Sequence, residues 1–281
     1  MTYSSWQPPF SYSGGKSQLA TRIAGMFRKQ FPNENHFVSP FLGGAAVELR
    51  CMHAWKWTCN GADSDPHVIL LWKWLLEEPR HVAECAAQFM PIDVETWKAW
   101  YSDMMTSDWH TLAHAAKYFI LRYTRVVHAW NCWEDRLINF NQPKVHLAAF
   151  QRLSHFRAPR LAVERADFRD FLNENDGICY IDSPYVSDDL SYEKVYEKRQ
   201  AEADNIFSRE DHEALADILC ARRTGWIASN SPHDWVRERY RDYQQVEVNV
   251  TYASRSAQQK RNRDTELLII SPLNSTVPSL P

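Results

Sequence analysis

Residues 36 to 49 read HFVSPFLGGAAVEL: a short apolar run, a proline, two adjacent glycines, then apolar residues at helical spacing. The run 36–41 predicts a strand and the segment from Ala45 onward a helix, with Gly43 and Gly44 in the turn between them. A turn without Cβ atoms lets a ligand come against the backbone where the helix begins. About twenty residues on, after a second strand TCNGAD, stands Asp63, where doubly wound folds set an acid against a ribose hydroxyl. A tight strand-to-helix turn and a helix-capping aspartate would give the same pattern with no ligand at all.

Working outward, the same alternation recurs. GICYIDSP (177–184), GWIASNS (225–231), VEVNVTYA (246–253) and TELLIISP (265–272) are predicted strands. AAVELRCMHAWK (45–56), PHVILLWKWLLEE (66–78), EDHEALADILCAR (210–222) and DWVRERY (234–240) have the apolar spacing of helices, with Ser208 capping the third of them. Strands alternating with helices imply an α/β fold on a mostly parallel, Rossmann-like sheet. From 79 to 156 the strands stop and nearly everything reads as helix. We therefore expect a discontinuous main domain, 1–78 with 158–273, a helical insert at 79–157, and a flexible tail at 274–281.

Composition sets limits. The chain has 281 residues, of which 44% are apolar and 24% charged, enough for a large core. Its net charge of −3 gives no bulk attraction to nucleic acid, so such a partner would need a local basic face. The six cysteines lack CxxC or any other ligand spacing, which predicts reduced, buried thiols. The opening MTYSSWQPPF has no charged-then-apolar leader, and no apolar run approaches 18 residues, so a cytoplasmic protein without membrane contact is expected.

SGGKSQL at 13–19 imitates the end of a phosphate-binding loop. That pattern needs a glycine five positions before Gly15, where Phe10 stands, and a preceding strand that is missing. Lys16 must serve something else. The run GICYIDSPYVSDD at 177–189 raises a different question, because a buried strand there ends on a carboxylate, a proline and a tyrosine.

Taken in order, Tyr12-Ser13-Gly14-Gly15-Lys16, Pro40-Phe41-Leu42-Gly43-Gly44, Asp63, Asp167-Phe168 and Asp182-Ser183-Pro184-Tyr185 resemble the Dam-like DNA adenine N6-methyltransferases of the D12 class. The resemblance runs from Pro9 to about Ser271. It implies S-adenosylmethionine as cofactor, with Tyr12, Gly14, Gly15, Lys16, Pro40, Phe41, Gly43 and Gly44 around it. Asp63 would take its ribose, Asp167 and Phe168 its adenine, and Asp182 would border both cofactor and target. The helical insert would be the target-recognition module, and Asp211-His212 is a further echo of the family. One departure stands out: Ser183 occupies a position where the family usually has a second proline.

The chemistry answers the question of the strand end. An exocyclic adenine amine is a poor nucleophile because its lone pair is delocalised into the ring, and acceptors on its protons help to localise that pair. In this reading Asp182 supplies one acceptor and the Ser183 carbonyl a second, while Pro184 keeps the residue before it extended. Tyr185 stacks on the base once it is flipped from the duplex, returning about 1 to 3 kcal/mol of the extrusion cost. The electrophile arrives activated, so no metal is needed.

Residues 106–165 carry nine lysines and arginines against four acids, with Trp109, Trp130 and Trp133 among them. Arg122, Arg125, Arg136 and Lys144 are the expected DNA contacts there, and Arg255, Lys260 and Arg261 those of a second basic run at 253–263. A solvated helical face or a wet loop would look similar. The polar stretch 186–207 has the length and place of a lid, or of a surface helix. Double-stranded DNA is the expected partner and a monomer or weak dimer the expected state. N4-cytosine methylation, an RNA target, or a DNA-binding relative that has lost catalysis are the alternatives.

Overall fold

The computed structural model describes residues 6–12, 14–124, 133–186, 207–250 and 264–272. Its elements begin with α1 (Ala20–Gln30), β1 (His36–Ser39), α2 (Ala46–Trp55), β2 (Thr58–Asp63), α3 (Pro66–Glu77), α4 (Pro79–Gln88), α5 (Val94–Thr106), α6 (Leu112–Thr124), α7 (Trp133–Phe140) and α8 (Pro143–Ser154). There follow β3 (Leu161–Arg165), α9 (Phe168–Glu174), β4 (Ile178–Ile181), α10 (Arg209–Ala221), β5 (Trp226–Asn230), α11 (Asp234–Arg239), β6 (Gln244–Val250) and β7 (Asp264–Ile270). The fold is mixed α/β with a mostly parallel sheet, as expected. The tail 274–281, the basic run 253–263 and nearly all of the expected lid lie outside the described residues.

By their internal contacts the residues fall into two units. The first comprises Met1–Ser17, Gly43–Lys56 and Asp65–Arg165, and the second Gln18–Leu42, Trp57–Ser64 and Ala166–Pro281. Six of the seven strands belong to the second unit, in the order β2-β1-β4-β5-β7-β6. β2, β1, β4 and β5 are parallel, with Phe37 beside both Cys59 and Ile178, and Tyr180 beside Ile227. β7 runs antiparallel between β5 and β6. Every residue of β4 and of β5 is buried, the signature of strands covered on both faces.

The chain lays β2 on one side of β1 and β4 on the other. The order therefore reverses between β1 and β4, and the carboxyl ends of those two strands form the switch point at which open α/β sheets bind ligands. The segments that leave those ends are Pro40, Phe41 and Leu42 after β1, and Asp182, Ser183, Pro184 and Tyr185 after β4. Gly61 of β2 is there for a packing reason, since a Cβ on it would lie 2.5 Å from the Leu42 side chain.

In the first unit α4 packs on α6 and α8, and α3 on α4 and α6. Ala115, Ala116, Phe119 and Ile120 of α6 are fully buried at its centre. Trp109 belongs to this interior at 3% exposure, its ring stacked 5.0 Å from His114 and its indole N–H donating to Asp103. Cys51, Cys59 and Cys179 are buried and Cys85 and Cys220 half-buried, all as free thiols; burial pushes the Cys179 thiol up to about 12, so it stays protonated and inert. Among the described residues no helix is long and apolar enough to cross a membrane.

Candidate active site

β4 delivers Asp182 half-buried, Ser183 buried, Pro184 exposed and Tyr185 half-buried. The Tyr185 hydroxyl donates to Oε2 of Glu266 on β7. Burial, then the negative charges of Asp182 and Glu266, raise this phenol well above its usual value of 10, so it is a proton donor at any working pH. Beneath the loop, the Tyr180 and Ser229 hydroxyls are hydrogen-bonded at 2.9 Å and tie β4 to β5.

Asp63 closes β2 at 8% exposure, and its backbone carbonyl accepts from the Ala166 N–H at 3.4 Å. Its carboxylate is not the cap of the next helix. Asp65 performs that task, accepting from the N–H groups of His67 at 2.8 Å and Val68 at 3.4 Å. Asp63 is thus a buried acid at a strand end that does not cap the helix after it.

Asp167 caps α9, accepting from the Arg169 N–H at 2.8 Å, and both of its oxygens also face the Arg169 guanidinium. That guanidinium lies 4.3 Å over the Phe168 ring and is held from its far side by Asp211. Phe168 forms a triangle with Phe41 and Phe207, the ring centroids 5.4 to 5.6 Å apart. Asp211 itself is fixed by a reciprocal capping box with Ser208. The family echo Asp211-His212 thus acts locally, through Arg169 and through the edge of His212 against Phe207 at 4.7 Å.

Burial, with the Arg209 charge adding to it, lowers the His212 imidazole from its ordinary 6.5 to about 4. The folded protein holds this histidine neutral, whereas the unfolded chain takes up a proton below about pH 6.5. Its contribution to stability is therefore complete above pH 6.5 and is lost as the pH falls toward 4. Melting temperatures measured across that window should drop, and His212→Gln should reduce the drop; an identical slope in the variant would remove the histidine from the account.

In the first unit the glycines have a partner that the sequence reading missed. Gly43 sits at φ +46°, and a Cβ on it would lie 2.8 Å from two ring carbons of Tyr12; one on Gly44 would lie 3.0 Å from the Tyr12 Cβ. Tyr12 fills the space that the two missing side chains leave. The Trp72 indole N–H donates to the Gly43 carbonyl at 2.8 Å and fixes the turn from the other side. Gly14 adopts φ +73°, and Lys16, only 4% exposed, donates to the Gly14 carbonyl at 2.6 Å. No strand precedes this segment among the described residues, in keeping with the rejection of a phosphate loop.

Arg122, expected at DNA, has its guanidinium 4.2 Å over the Tyr12 ring and 5.7 Å from that of Tyr118. Lys144 on α8 is exposed, and so are Arg152, Arg157 and Arg160. No acid interrupts the chain between Asp135 and Glu164. Arg136 lies on α7. Arg125, Arg255, Lys260 and Arg261 fall outside the described residues. Phe207, Arg169 and Glu266 are the contributors that sequence reading overlooked. Glu266 alone left a clear trace, a single charge ahead of four apolar residues in a predicted strand.

A mostly parallel sheet whose strand order reverses between β1 and β4 places the chain in the class of doubly wound α/β proteins. More narrowly, it belongs to the D12 class N6 adenine-specific DNA methyltransferase family, whose model matches residues 12–254. It is therefore an adenine-specific DNA methyltransferase, and membership implies S-adenosylmethionine as methyl donor. The chain is 24% identical to the Type II methyltransferase M1.LlaDCHI of Lactococcus lactis subsp. cremoris, over 93% of this chain and 94% of that protein. Among solved structures it aligns with Thermoplasma acidophilum 1320 (TM-score 0.38, 10% identity, 93% of this chain and 97% of that one). It also aligns with the delta-N METTL16 MTase domain (TM-score 0.36, 8% identity, 90% and 81%).

Proposed function

We propose that the enzyme methylates N6 of an adenine flipped out of double-stranded DNA, and that the loop after β4 carries the chemistry. The Asp182 carboxylate and the Ser183 carbonyl accept the two protons of the exocyclic amine, so that its lone pair turns toward the methyl group. Tyr185 stacks on the extruded base. The observation that carries this reading is the position of 182–185 directly after β4, at the point where the strand order reverses. When bound, S-adenosylmethionine supplies an electrophilic methyl group on a sulfonium.

The residues suit that cofactor. Asp63 is a buried acceptor for ribose hydroxyls, and Phe41, Phe168 and Phe207 offer an aromatic wall to a purine. Asp167, oriented by Arg169, retains acceptor capacity for an amine. Tyr12, Gly14, Gly15, Lys16, Pro40, Gly43 and Gly44 are assigned to the same cofactor by the family resemblance. The decisive test is nucleoside analysis of host DNA after expression. N6-methyladenine is the expected product; N4-methylcytosine or no methylated base would overturn the reading.

For DNA we assign the helical segment 79–157 to target recognition, with the exposed Lys144, Arg152, Arg157 and Arg160 of an acid-free run gripping phosphates. Each phosphate contact releases counterions, so log affinity should fall linearly with log salt. Replacing Lys144 and Arg160 together by alanine should flatten that slope by about 2, close to one unit per contact, without changing the preferred sequence. An unaltered slope in filter-binding titrations would make this face a bystander.

A further inference from the structure

β7 is an interior strand, bonded to β5 on one side and β6 on the other, and Leu267, Leu268, Ile269 and Ile270 are all buried. Glu266 precedes them at 3% exposure, opposite the buried Val248 of β6. A carboxylate in such surroundings is costly unless its oxygens are bonded, so its presence calls for a partner that uses the charge. One such partner is the Tyr185 hydroxyl, which donates to Oε2 across 81 residues of sequence. The phenol is the donor in this bond and keeps its proton, because burial and the neighbouring negative charges raise it well above its ordinary value.

Stacking alone does not explain a tyrosine here. Phenylalanine offers a base the same aromatic face, and the added hydroxyl brings a polar atom into a largely buried place that must then be satisfied. What the hydroxyl contributes is a second anchor. Backbone on one side and Glu266 on the other hold the ring at both ends, which removes its freedom to rotate away from the position of an extruded base. We propose that Glu266 is a positioning residue for methyl transfer: through its bond to the Tyr185 hydroxyl it sets the plane of the ring against which the target base stacks. The proposal rests on the reading that Tyr185 stacks on the flipped base. It assigns Glu266 to the rate of transfer from the assembled complex and not to DNA affinity.

A double-mutant cycle on the full-length enzyme decides the matter, using single-turnover methylation of a duplex that the wild type modifies. Glu266→Leu and Tyr185→Phe should each slow the step about tenfold or more, and the double variant should be no slower than the slower of the two. Glu266→Gln keeps an acceptor and should recover the rate to within roughly threefold of wild type, while the Kd for DNA at fixed salt moves less than about twofold in all four enzymes. Thermal melts identify any variant that has lost its fold, and in that case the Tyr185→Phe and Glu266→Gln arms decide alone. Equal losses from Glu266→Leu in the wild-type and Tyr185→Phe backgrounds, or a Tyr185→Phe enzyme as fast as wild type, overturn the proposal. A Tyr185→Ala enzyme that keeps the wild-type rate would instead remove the stacking reading beneath it.

Discussion

Replacing Asp182 by alanine is expected to lower the single-turnover methylation rate about 100- to 1000-fold, equivalent to about 2.7 to 4 kcal/mol of transition-state stabilisation. The magnitude follows from timing. The adenine amine carries little charge in the ground state and gains positive charge as its nitrogen commits to the methyl group, so an anionic acceptor on one of its protons matters most at the top of the barrier. Asp182 is half-buried directly after the carboxyl end of β4, close enough to Tyr185 for its charge to raise the phenol. A charge of that strength in a partly desolvated place is worth more than it would be in water. DNA and cofactor affinities should change little, which separates this variant from one that disturbs either site. Asp182→Asn retains an acceptor oxygen without the charge and should fall between wild type and alanine. Rapid-quench measurements with enzyme in excess over a target-containing duplex give the rate directly. An alanine variant that retains more than about a tenth of the wild-type rate would mean that the amine is activated elsewhere.

The strand-to-helix turn at 36–49 was legible because each of its parts has a distinct chemical cause: an apolar run for a buried strand, Gly43 for a turn at positive φ, and helical spacing after it. Strands β4 and β5 share that legibility, every residue of each being buried between covered faces. β3 escaped for the opposite reason. Only Leu161 of its five residues is buried, and its apolar part, Leu161 to Val163, is too short to stand out before Glu164 and Arg165. The helix α1 was hidden behind the imitation of a phosphate loop, although Ile23, Ala24 and Phe27 are buried at helical spacing. Side-chain partners were the least visible part. That Gly43 and Gly44 make room for Tyr12, that Arg169 joins Asp167 to Asp211, and that Glu266 meets Tyr185 all depend on contacts between residues far apart in the chain. Periodicity carries no such information. Its marks are single letters, a tyrosine beside a glycine pair or a lone acid in a strand, and they acquire meaning only when the topology brings the two ends together.

The same reasoning makes Asp63 the sharpest test of the cofactor assignment. An aspartate at the end of a strand, two residues before a helix, ordinarily earns its place as a cap, and Asp63→Ala would then cost stability and leave ligand binding alone. In this chain Asp65 is the cap of α3, accepting from the N–H groups of His67 and Val68. Asp63 is nevertheless 8% exposed at the carboxyl end of β2. If the ribose hydroxyls of the cofactor meet this carboxylate, the contact is charge-assisted and worth about 1.5 to 3 kcal/mol. Asp63→Ala should accordingly weaken S-adenosylmethionine binding about 10- to 150-fold by isothermal titration calorimetry. Asp63→Asn, which can still accept one hydrogen bond, should lose less. Asp65→Ala serves as the contrasting variant, because it should lower the melting temperature through the lost cap while leaving cofactor affinity near wild type. If Asp63→Ala folds and binds the cofactor as wild type does, the ribose lies elsewhere, and the acid at the end of β2 belongs to the fold alone.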